Sequence, residues 1–94
     1  MNIDSFKNTW NYIDSEYNAW FIRRMDPTTE QQTLYVTLLM RDMLSIPRHD
    51  IDMIFKQVDK MFKNSGICND PSYWTNYQLP VLMVLSAKYL TITK

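Results

Sequence analysis

One glycine in 94 residues, Gly66, is the feature that most limits what this chain can fold into. Tight β-hairpins need positive φ in the turn, and glycine supplies it at no steric cost. A fold made of hairpins has almost no such supply here, which argues against an all-β structure. The stretch FKNTWNYIDSEYNAWFIRR, Phe6 to Arg24, carries the opposite signal. Phe6, Trp10, Ile13, Tyr17 and Trp20 recur at spacings of 4, 3, 4 and 3, which keeps them on one side of a helix. Asn8, Asn11, Ser15 and Asn18 fall on the other side. Tyr12, Ala19 and Ile22 add a second apolar strip, so this helix is expected to meet more than one neighbour. Asp4 or Ser5 is the expected N-cap, accepting a hydrogen bond from an early backbone N–H.

The segment RMDPTTEQQ is a helix boundary. Asp26 offers a capping oxygen, and Pro27 suits the first helical position, where its missing N–H costs nothing. Glu30 then meets the positive end of the helix dipole. The second helix, through TLYVTLLMRDML, is apolar at Leu34, Tyr35, Val36, Leu38, Leu39, Met40, Met43 and Leu44. A helix apolar over that much of its circumference is expected to be central or shared with another chain. Pro47 breaks it, and PRHD opens a third helix whose stripe is Ile51, Ile54, Phe55, Val58, Met61 and Phe62. Asp52 with Lys56, and Asp59 with Lys63, are spaced for i, i+4 ion pairs, each worth roughly 0.2–0.5 kcal/mol. Gly66 is its C-terminal stop. Asp70 and Pro71 repeat the start signal for a short helix through Tyr77, which Pro80 should interrupt. VLMVLSAKYLTI reads as a fourth main helix, nearly buried, with Lys88 at its wet edge; a buried strand would lack a partner strand.

Composition narrows the function classes. Ten basic residues balance ten acidic ones, whereas proteins that coat nucleic acid carry a basic excess. General nucleic-acid binding is therefore not expected. The longest apolar run, LPVLMVL, falls well short of the roughly 18 residues of a membrane span. The start, MNIDSFKNTW, lacks the pattern of a secretion signal, and Cys68, the one cysteine, has no internal disulfide partner. A cytoplasmic protein is the expectation.

No chemistry-bearing constellation emerges. The single Cys and single His have no metal-ligand spacing, and the carboxylates beside His49, at Asp50 and Asp52, belong more naturally to a helix start. Cys68 and His49 lack a glycine-built oxyanion site, and no phosphate-cradling loop is present. Catalytic residues, metal ligands and cofactors are accordingly not expected. Two groups remain as partner or ligand contacts. Arg24 lies one turn beyond Trp20, and aromatics beside guanidinium hold nucleobases or phosphorylated ligands; the competing role is a core stripe closed by cations at a helix C-terminus. Arg23, on another face near Tyr12 and Glu16, is the better outward contact. The second group, Tyr73, Trp74 and Tyr77, suits an interface or a lid over one end of a bundle.

The sequence predicts an all-α single domain over 1–94, a small bundle of four main helices assembled as a homodimer or higher homo-oligomer. The expected function is non-enzymatic binding of a protein partner as a small regulator or inhibitor. The alternative is an oligomer that sequesters a nucleotide-like anionic ligand with arginine and aromatic side chains. Small size, many Asn, Tyr and Met residues and no catalytic motif resemble the composition of small phage or viral accessory proteins. That resemblance implies the host cytoplasm.

Overall fold

A computed structural model of the chain describes residues 2–67 and 72–92. Four α-helices follow one another: α1 (Ile3–Arg24), α2 (Thr29–Leu44), α3 (Arg48–Phe62) and α4 (Leu79–Ile92), the last entered through a π-helical turn, Trp74–Gln78. Among the described residues there is no strand. The all-α class and the four main helices thus agree with the glycine argument. Contacts group the chain into two units, Met1–Ile51 and Asp52–Lys94.

In the first unit, α1 begins earlier than its sequence predicts. Asn2 is the N-cap, its side-chain oxygen accepting the Ser5 N–H at 2.7 Å, while Asp4 sits in the first turn. Asparagine caps as well as aspartate does, and this placement also sets the Asp4 charge against the helix dipole. Phe6, Trp10, Ile13 and Tyr17 are buried, and Trp20 at the end of the stripe is half-buried. Tyr12, Ala19 and Ile22, the second strip, lie exposed.

The turn into α2 also departs from expectation. Met25 and Asp26 both take positive φ, 48° and 58°, and Thr28 rather than Asp26 is the N-cap. A left-handed Asp26 belongs to the reversal of the chain, not to the helix entry. The threonine forms a reciprocal capping box: its hydroxyl accepts the Gln31 N–H at 3.1 Å, and Gln31 Oε1 accepts the Thr28 N–H at 3.0 Å. One residue further in, Gln32 is buried and satisfied at both ends of its amide. Tyr17 donates its hydroxyl to Gln32 Oε1 at 3.1 Å, and Gln32 Nε2 donates to the Pro27 carbonyl at 2.9 Å. One side chain therefore ties α1, α2 and the intervening loop together. Gln32→Ala removes the acceptor from a buried hydroxyl and the donor from a loop carbonyl. The expected loss is about 1–3 kcal/mol, seen as a lower urea midpoint at unchanged slope.

Val36, Thr37, Met40 and Leu44 are the other buried residues of α2, whereas Leu34 and Met43 are exposed. The broad apolar surface of this helix is covered on one side only. Ser45 at φ 58° ends it, and the Pro47 carbonyl accepts the N–H groups of Asp50 and Ile51, both at 3.0 Å, to start α3.

In the second unit, Ile54, Phe55 and Val58 of α3 are buried and Phe62 is half-buried, but Met61 is 60% exposed. Phe62 takes the inward position because two tyrosines meet its ring, and its neighbour Met61 turns outward. The Asp52/Lys56 and Asp59/Lys63 spacings are not closed into ion pairs, as befits long solvated side chains on an exposed face; Arg41 and Asp42, adjacent on α2, do pair, at 3.3 Å. Past Phe62, its carbonyl accepts both the N–H and the hydroxyl of Ser65 at 3.1 and 2.9 Å, and Gly66 follows at φ 74°. The left-handed glycine is there, but α3 ends at Phe62, four residues before it, and Ser65 rather than Gly66 takes up the Phe62 carbonyl. The hydroxyl and N–H of a serine can close a helix end before any positive-φ residue is reached. Cys68, Asp70 and Pro71 lie outside the described residues.

Pro80 does not interrupt the chain's last helical run. The π-helical turn continues directly into α4, and the Leu79 N–H reaches the Trp74 carbonyl five residues back. An extra residue in the turn shifts the hydrogen-bond register, giving the proline ring room that an unbroken α-helix would deny it. Nor is α4 nearly buried. Leu79, Leu82 and Ser86 form its buried strip, while Val84 and Ile92 stand 60% and 71% exposed.

Candidate functional site

The aromatic group before α4 divides by burial. Tyr73 and Trp74 are buried, and Tyr77 is 37% exposed. Tyr73 meets the Phe62 ring edge-on at 5.6 Å and 89°, Tyr77 meets it at 6.4 Å, and Trp74 lies 5.9 Å from Phe55. Two of the three residues therefore pack internally against α3, and Tyr77 keeps surface for a contact. The π-helical turn separates them: it presents Tyr73 and Trp74 inward and leaves Tyr77 at the margin.

At the end of α1 the structure brings together more than the sequence pairing of Trp20 with Arg24. Tyr35 of α2 stacks on Trp20 with centroids 4.6 Å apart and planes 18° from parallel. Arg24 places its guanidinium carbon 5.9 Å from the Trp20 ring centroid, within cation–π range. Gln31, Leu34 and Leu38 complete a crevice of about 190 Å³ between the two helices. Nothing in the sequence pairs Tyr35 with Trp20; only the α1–α2 turn sets that register. Burial pushes the Tyr35 phenol above its usual range, Glu16 and Tyr12 push the same way, and Arg23 pulls against them. Arg23 is exposed in the last turn, as is Arg24, but it belongs to this neighbouring polar group and does not line the crevice. A broader depression of about 380 Å³, lined by Asn8, Thr9, Tyr12 and Met43, carries no charged side chain.

Among the described residues, no three His, Cys, Asp or Glu side chains are placed to hold a metal ion. No helix of the described residues is long and apolar enough to cross a membrane. No family model, curated protein or solved structure matches the chain.

Proposed function

We propose that the protein acts by binding rather than catalysis, as a helical interaction module that pairs with a second copy of itself through α4. The observation that carries this reading is the outer side of α4. Over fourteen residues the helix has one charged side chain, Lys88, yet only Leu79, Leu82 and Ser86 are fully withdrawn from water. Apolar helical surface left bare in this way favours association, and closed two-fold pairs are its commonest outcome. Charge supports a like partner. The chain is formally neutral, so two copies do not repel as whole molecules. An antiparallel α4 pair centred on Val84 would set the two Lys88 residues about 12 Å apart along the helix axes, beyond the roughly 8 Å over which salt leaves charges visible. A protein partner regulated or inhibited by this module, as the composition resembling phage and viral accessory proteins implies, would then meet a two-fold particle.

Light scattering over a concentration series tests the reading. A mass at or above twice the 11.3 kDa of one chain is expected at micromolar concentration, with a melting midpoint that rises with concentration. Val84→Glu, which puts a charge on the proposed axis, should return the mass to that of one chain while the fold persists. A wild-type chain that stays monomeric throughout the series overturns it.

A further inference from the structure

The crevice between α1 and α2 has a size, a lining and an electrostatic sign, and each restricts what it can hold. Its volume of about 190 Å³ exceeds the roughly 150 Å³ that admits a benzene ring. It falls below the roughly 300 Å³ at which sites for drug-sized molecules begin. One ring or one branched aliphatic group fits; a base, ribose and phosphate together do not. Leu34, Leu38 and the Trp20–Tyr35 stack form apolar walls.

Beside the stacked Trp20 and Tyr35, the two other polar side chains in the lining, Arg24 and Gln31, both offer donors. Gln31 Oε1 already accepts the Thr28 N–H in the capping box, which leaves the amide nitrogen as the donor that this crevice-lining side chain can offer. Arg24 is a pure donor, and among the described residues no carboxylate comes within ion-pair distance of it. Two donors, one of them a cation with a forked geometry, call for an acceptor-only monoanion.

We propose that this crevice is a binding site for a small carboxylate carrying an aromatic or branched apolar group. The apolar group lies against Leu34, Leu38 and the exposed side of the stacked rings, and Arg24 with Gln31 holds the carboxylate at the mouth. The site lies wholly in the unit Met1–Ile51, so it neither requires nor excludes pairing through α4.

The test is a titration of the full chain followed by ¹H–¹⁵N NMR, with 3-phenylpropionate, its neutral amide and adenosine monophosphate as probes. 3-Phenylpropionate should move the Trp20 indole N–H and the Arg24 Nε–H saturably. The amide should bind at least about tenfold more weakly, because a charge-assisted hydrogen bond becomes a neutral one. Arg24→Gln should abolish the difference between acid and amide while the helical fold is retained, whereas Arg23→Gln should leave it intact. Equal binding of acid and amide, an acid preference that survives Arg24→Gln, tighter binding of adenosine monophosphate at the same residues, or no saturable shift would each overturn the assignment. None of these outcomes alters the mass seen by light scattering, so this site and the α4 pairing fail separately.

Discussion

Trp10→Ala is expected to cost about 3–5 kcal/mol of folding stability, the usual loss for a large buried aromatic truncated to a methyl group. Trp10 is 4% exposed and stacks on Phe6 with centroids 6.4 Å apart. At roughly 0.05–0.15 kcal/mol per residue, a chain of this length holds about 5–14 kcal/mol in all. The substitution therefore removes a large part of the margin, and at the lower end of that range nearly all of it. Circular dichroism at 222 nm should show a large fall in melting midpoint or a chain mostly unfolded at ambient temperature. Arg23→Ala offers the control, since an exposed cation in the last turn of a helix contributes about 1 kcal/mol or less. A Trp10→Ala chain that melts like wild type but no longer binds a partner would mean the stripe lines a site instead of a core.

Phe6, Trp10, Ile13 and Tyr17 were legible in the sequence because a 4, 3, 4 spacing puts them on one side of a helix, and aromatics so spaced are primarily the signal of a covered side. Trp20 continues the same arithmetic but ends half-buried, since periodicity gives the direction of a side chain and not where its neighbours stop. The caps were less legible. Asp26 and Thr28 are both capping residues by type, and the choice was made by two successive positive-φ residues that no residue pattern signals, Met25 above all. Pro80 was misleading for a related reason. The rule that proline breaks a helix assumes α register before it, and a π turn removes that premise. At the α1–α2 crevice, Trp20 and Arg24 could be paired from helical spacing alone. Tyr35 and Gln31 could not, because their approach depends on how tightly the loop closes, and that closure rests on the buried amide of Gln32.

Leu82→Ala is expected to cost about 2–5 kcal/mol, although α4 as a whole is far more exposed than its composition implies. The reason lies in how narrow the buried strip is. Leu79, Leu82 and Ser86 are its three fully covered positions, and Leu82, at 0% exposure, lies between the other two. Ser86 is too small to fill a neighbouring void, and its hydroxyl has no hydrogen-bond partner among the described residues. Relaxation by sliding the helix is opposed from the N-terminal side, where Pro80 follows a π turn already committed to its register. A cavity that cannot collapse keeps its full cost, so the upper half of the range is the expected value. Val84→Ala, two residues along and 60% exposed, should by contrast change folding stability by no more than about 0.5 kcal/mol. Its effect should appear instead in the concentration dependence of mass. Urea melts of the two variants at a dilution where the wild type is monomeric separate these roles, because association then contributes nothing to the midpoint. Equal losses for Leu82→Ala and Val84→Ala under those conditions would mean that α4 is covered on both sides within one chain, which would remove the surface on which the proposed pairing depends.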